Sequence, residues 1–123
     1  GAIELTPENA RVEVPRVVVN SPADEFGWLH PASAYPFVLD GRYWRTAHPR
    51  DWPWPLAKGL QSQPSGAFFK EVMTRALHAR FVQHESLRRR LLNTMTTVEV
   101  NGLPWELFDG VRRSLANLGR GYL

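Results

Sequence analysis

Six aromatic side chains carry the strongest chemical signal in this sequence. Phe26, Trp28, Trp44, Trp52, Trp54 and Trp105 all fall in stretches that read as loops, strand ends or helix starts. Where several such rings converge they form a stacking pocket for a base or a similarly flat ligand. Where they do not, they are core residues and a hydrophobic patch for a partner. Four histidines, His30, His48, His78 and His84, do not make a metal site. His78 and His84 are six residues apart, which on a helix puts them on different faces, and no HExxH motif is present. The chain has no Cys, so thiol nucleophiles, disulfides and Cys-type zinc sites are excluded, and a reducing, cytoplasmic setting is the expectation. Walker, GxGxxG and GxSxG motifs are absent.

Charge adds a second, weaker signal. The net charge is +3, and thirteen of the fifteen basic residues are Arg. Arg75, Arg80, the run Arg88-Arg89-Arg90, Arg112 and Arg113 suit phosphate recognition by guanidinium groups. They equally suit solvated helix faces, and no named nucleic-acid-binding motif accompanies them.

These residues must be positioned by a small scaffold. A chain of 123 residues with 43% hydrophobic and 22% charged residues fits one globular domain, here 11–123 after a loose segment at 1–10. No apolar run approaches the roughly 20 residues of a membrane helix. Val17, Val18 and Val19 read as a short buried strand. Tyr35–Leu39 and Arg42–Thr46 flank Asp40-Gly41, a type I′ hairpin signal. Pro49, Pro53 and Pro55 argue against a regular helix anywhere in 47–64 and place Trp52 and Trp54 in a rigid loop. Phe68–Thr94 is the longest helical pattern. Ser65 is its expected N-cap, Phe69, Val72, Met73, Ala76, Leu77 and Phe81 its apolar stripe, Glu71 and Arg75 a surface pair, and Gln83-His84 a break. Thr97–Val100 follows as a strand. A last helix over 104–118 has Pro104 in its first turn and Gly119 as its C′ residue. The fold class is α+β, a single small domain with short strands and a β-hairpin packed on two or three helices.

In this order the segments resemble the NADAR/YbiA-like N-glycosidase family. FGWLHPASAYPFVLDGRYWRT looks like that family's opening loop and hairpin. EVMTRALHARFVQHESLRRRLLNT is similar to its long helix, of the form VMxxALxxKFxQxxxLxxxLLxT. Val98-Glu99 is similar to the start of the strand that follows, Trp105 to the Trp of a YWG element, and Asn117-Leu118-Gly119 to an NxLG segment. The resemblance implies a nucleotide-like or ADP-ribose-like ligand, no cofactor, and ligand contacts from Phe26, Trp28, Trp44, His48, Trp105 and Asn117. It also implies cleavage of an N-glycosidic bond, which asks for a carboxylate to stabilise an oxocarbenium-like sugar or to activate water.

The family's essential Glu, in a helix just after the hairpin, has no counterpart. Ala47-His48-Pro49-Arg50-Asp51 stands there instead, and His30-Pro31-Ala32 replaces the Asn-bearing loop. The leading expectation is therefore a degenerate domain that binds a nucleotide-like ligand or a macromolecule without the usual chemistry. One alternative is an active enzyme with a relocated carboxylate, Asp51 or Asp109, with Glu99 and Glu106 as further acids. Another is a protein-interaction module that uses Trp52 and Trp54. Nucleic-acid binding through the Arg faces is the weakest.

Overall fold

The computed structural model describes residues 16–62, 66–94, 96–104 and 106–121. The expected loose segment at 1–10, the Ser65 cap and Trp105 lie outside the described residues. The elements in chain order are β1 (Arg16–Val19), β2 (Phe37–Leu39), β3 (Arg42–Trp44), α1 (Trp54–Ser62), α2 (Gly66–Gln83), α3 (Glu85–Asn93), β4 (Thr97–Val100) and α4 (Leu107–Gly121). Two single 3₁₀ turns, Gly27–Leu29 and Pro49–Asp51, interrupt the loops on either side of the hairpin.

The hairpin follows from local chemistry. Asp40 (φ 55°) and Gly41 (φ 74°) both take the left-handed conformation that a type I′ turn demands. Alternation then sends Phe37 and Trp44 inward and Val38 and Tyr43 outward. Phe37 and Trp44 are register partners, and their rings stack at 5.6 Å. Such pairs contribute about 0.5–1.5 kcal/mol beyond the area they bury. The outer edge of β2 is closed by a side chain. The amide of Gln83, the last residue of α2, accepts from Val38 N–H at 2.8 Å and donates to Val38 C=O at 2.6 Å.

α2 is the centre of the molecule. Val72, Met73, Ala76, Leu77 and Phe81 are buried as the spacing predicts, and Ala79 and Arg80 join them. The helix is covered by the hairpin, α1, α3 and α4, so more than one stripe is enclosed. Arg75 does not pair along the helix. It forks onto Asp40 at 2.7 and 2.8 Å and ties the hairpin turn to α2. The chain breaks at His84, whose Nε2 meets Pro36 C=O, and α3 follows.

β1 and β4 form a separate two-stranded parallel sheet, with Val17 opposite Val98 and Val19 opposite Val100. A two-stranded sheet has one covered face. Val19, Val98 and Val100 are buried, whereas Val18 is half exposed and Arg16 pairs with Glu99 on the outer face at 3.0 Å. The three-valine run is therefore half-buried rather than a buried strand.

Two expectations about helices need correcting. A regular helix does form within 47–64. Pro55 is its second residue, where no intrahelical donor is needed, and Leu56 and Ala57 both donate to Pro53 C=O. Its Gly59 lies against Phe68 of α2. The described helices thus number four rather than two or three. At the other end, Pro104 precedes α4, which begins at Leu107 and runs past Gly119 to Gly121, because glycine permits a left-handed stop without imposing one. Leu107, Val111 and Leu115, at helical spacing, are buried. Among the described residues no helix is long and apolar enough to cross a membrane.

Candidate functional site

Two His-Pro dipeptides build the candidate site. His30 closes the first 3₁₀ turn and His48 opens the second. A following proline drives the preceding residue to extended backbone. His30 (φ −68°, ψ 137°) and His48 (φ −65°, ψ 140°) accordingly share one conformation. Each ring then turns back on its own chain. His30 Nδ1 accepts from Ala32 N–H at 3.0 Å, and His48 Nδ1 accepts from Arg50 N–H at 3.2 Å. The two loops are joined between these turns, where Ala47 N–H donates to Pro31 C=O at 3.0 Å.

Both histidines line one cleft of about 290 Å³, together with Pro31, Pro49, Phe69 and Met73 of α2, and Asn101, Gly102 and Leu103 after β4. The volume lies near the lower end of small-molecule sites. Phe69 supplies its aromatic wall and packs at 5.8 Å on Trp52 behind it.

The walls are fixed from inside. Arg80 is wholly buried and donates to the carbonyls of Trp28, Leu29 and His30 and to Ser33 Oγ. Desolvation pushes its guanidinium down to about 9, which still leaves it charged at neutral pH. The second turn is held by Thr46, whose hydroxyl accepts from His48 N–H at 3.1 Å and donates to Asp51. Burial, first, then the neighbouring His48 and Arg80, hold His30 below the usual imidazole range, with Asp24 opposing. Burial and Arg50 do the same to His48, opposed by Asp51. Both rings are therefore neutral at pH 7.

The expected ligand residues are dispersed. His48 lines the cleft. Trp44 is fully enclosed, with its indole N–H on Leu39 C=O at 3.1 Å. Trp28 is buried between Phe26, Phe81 and the guanidinium of Arg90, 4.4 Å from its ring. Its edge borders a separate open hollow of about 490 Å³ with Pro22, Ser33 and Tyr35. Phe26 is half-buried beside it, and Asn117 is exposed on α4. The interaction-module alternative requires Trp52 and Trp54 to be exposed together, but Trp52 is buried, with its indole N–H reaching back to Ala47 C=O at 3.0 Å. Trp54 is 67% exposed.

The candidate carboxylates do not reach the cleft wall. Asp51 braces Thr46, and Asp109 lines a different hollow of about 310 Å³ with Lys70, Glu106 and Arg113. Glu99 borders a third hollow, of about 340 Å³, that shares Asn101, Gly102 and Leu103 with the His30–His48 cleft. Among the described residues no group of three or more His, Asp or Glu is placed to hold a metal. Sequence reasoning missed His30, Phe69, Met73, Asn101 and Leu103 as wall residues. The legible signal was the repeated His-Pro pair.

No protein-family profile matches this chain, and no curated protein does. Among solved structures the chain is similar to the NMR structure of the E. coli protein YbiA, with a TM-score of 0.60 at 20% sequence identity. The match covers 84% of this chain and 87% of that one. The chain therefore has a YbiA-like α+β fold, as the resemblance implied.

Proposed function

We propose that this YbiA-like domain binds a nucleotide-like ligand in the His30–His48 cleft and does not cleave an N-glycosidic bond there. The observation that carries this reading is the donor set of the wall. His30, His48 and Asn101 stand with Phe69, Met73 and Leu103 in the wall, and none of the described wall residues is a carboxylate. Glycosidic cleavage needs a carboxylate beside the sugar. Of the two acids with a claim to that role, Asp51 braces Thr46 and Asp109 lines a different hollow. The wall suits recognition, by ring stacking and hydrogen bonds, better than bond breaking.

A thermal-shift series with adenosine, AMP, ADP-ribose and flavin precursors tests the binding. One or more should raise the melting temperature in a saturable way, since a ligand at a hundred times its Kd stabilises by about 2.7 kcal/mol. A flat series overturns the reading. Incubation with ADP-ribosylated guanosine and nucleobase–sugar phosphates tests the second half, and no free base should appear.

The catalytic alternative is favoured by one observation, the wall that the Glu99 hollow shares with the cleft. Base release that disappears in Glu99→Gln would establish it. Release that disappears in Asp51→Asn or Asp109→Asn would instead restore those residues as the relocated acid.

A further inference from the structure

The two histidines of the cleft are set in the same tautomer by the same device. A ring nitrogen that accepts a backbone N–H carries no proton. In both neutral rings Nδ1 is that acceptor, so Nε2 carries the hydrogen. Among the described residues neither Nε2–H is matched to an acceptor. The cleft wall therefore includes two residues with an unmatched N–H donor, on loops joined by the hydrogen bond from Ala47 to Pro31.

This arrangement discriminates between ligands. A metal ion needs the Nε2 lone pair, which this tautomer does not offer. A base edge alternates donors with acceptors, and two donors leave its N–H groups unmatched. An oxyanion is acceptor-only and takes both.

We propose that His30 and His48 act together as a paired N–H donor for an oxyanion of the cleft's ligand, a carboxylate or a phosphate, and that the site takes up a proton when the oxyanion binds. The proposal rests on the reading that this cleft is the binding site, and it names the group recognised there. The charged neighbours support the proton uptake. His30 faces His48, Arg80 and Asp24, and His48 faces Arg50 and Asp51. The wall residues from α2 and from the loop after β4 are Phe69, Met73, Asn101, Gly102 and Leu103, none of them titratable. In the empty cleft, burial and the positive neighbours keep both rings neutral. A negative charge placed against their Nε2 edges reverses that balance and favours an imidazolium. Binding and protonation are then linked, so affinity for the oxyanion rises as pH falls.

Ring-nitrogen NMR on the whole, ¹⁵N-labelled chain tests this directly. At pH 7.5 both rings should show the Nε2–H tautomer. Inorganic phosphate and benzoate, titrated separately, decide which oxyanion is taken, and adenosine serves as an oxyanion-free probe. At least one oxyanion should shift both Nε2 signals and bind up to about tenfold tighter per pH unit between 7.5 and 6, the slope for one proton. His30→Asn and His48→Asn keep an acceptor at the Nδ1 position, and so the turn, but lack the Nε2–H. Each should lose most of the oxyanion affinity and flatten the pH slope.

Adenosine binding without any oxyanion response overturns the paired-donor proposal and leaves the cleft reading standing. Silence from all three probes also overturns the paired-donor proposal, and only a flat thermal-shift series overturns the cleft reading with it. An Nδ1–H tautomer in either free ring, or folded Asn variants that bind phosphate and benzoate as well as the parent, overturns the proposal without recourse to the thermal series. The tautomer readout needs no variant, so a variant that fails to fold does not protect the idea.

Discussion

The guanidinium of Arg80, fully inside the core, donates to the hydroxyl of Ser33 at 2.9 Å and to three loop carbonyls around it. Ser33 Oγ in turn donates to His30 C=O at 2.8 Å. One buried cation thus replaces the hydrogen bonds that a strand would have given to residues 28–33, and it fixes the loop that carries His30.

Arg80→Met keeps much of the volume and removes every donor. Each acceptor left buried and unpaired costs about 1–3 kcal/mol, so the loss should be on the order of 3 kcal/mol or more. That is a large part of the roughly 5–15 kcal/mol that holds a domain together. Arg80→Lys, with one point charge in place of a fork, should fall between parent and Met. Urea midpoints measure the order. A Met variant as stable as the parent would show that the loop does not depend on this guanidinium.

Glycine substitutions separate close packing from open space. A Cβ on Gly27 would sit 2.0 Å from Pro22 O and 2.4 Å from Pro22 C, both backbone atoms that cannot step aside. Gly27→Ala should destabilise by at least the ~1–3 kcal/mol typical of overpacking and displace the His30 turn. A Cβ on Gly110 of α4 meets nothing within 4 Å. Gly110→Ala should stabilise by about 0.5–1 kcal/mol through helix propensity and a less flexible unfolded chain. Opposite signs in calorimetric melting temperatures are the expected result.

Gln83 behaves as a one-residue strand on the edge of β2. Gln83→Ala removes both bonds to Val38 and exposes that edge. A loss of about 1–2 kcal/mol is expected from the two hydrogen bonds. An unprotected edge also templates pairing with another chain. Light scattering on the variant should therefore show concentration-dependent association that the parent lacks, whereas unchanged scattering would mean that β2 is shielded by something other than Gln83.

What the sequence made legible was local chemistry. The Asp40-Gly41 turn, the 3.6-residue pattern of α2 and its break at His84 depend on neighbours along the chain, and all three are present. What stayed hidden depends on distant partners. Arg80 reads as a candidate phosphate contact on a helix face, but its acceptors lie about fifty residues away in loop carbonyls. Trp44 and Trp28 read as stacking platforms because loop and strand-end positions do not reveal which aromatics the core will claim. α1 was misread because three prolines argued against a helix, although Pro55 falls where a helix tolerates it. The cleft escaped because its wall is drawn from four separate segments, and only the repeated His-Pro pair marks it in the sequence.

The histidines also set the acid limit of the fold. His30, His48 and His78 are all held below the ordinary value of 6.5, burial being the first cause in each. Each depressed group binds its proton more readily in the unfolded chain. Stability is therefore intact above about pH 6.5 and falls as pH drops from there towards the folded values. Glu106, lowered first by its hydrogen bond to Lys70, acts in a separate window below the carboxylate value of 4.5. Melting temperatures in ligand-free buffer should decline between pH 7 and pH 5. His30→Asn and His48→Asn, with no proton to gain, should each flatten that decline, and the double substitution should flatten it most, leaving His78 as the remaining contributor. A decline that begins only below pH 4.5, or one unchanged in the double variant, would mean that the cleft histidines are not held neutral by the fold.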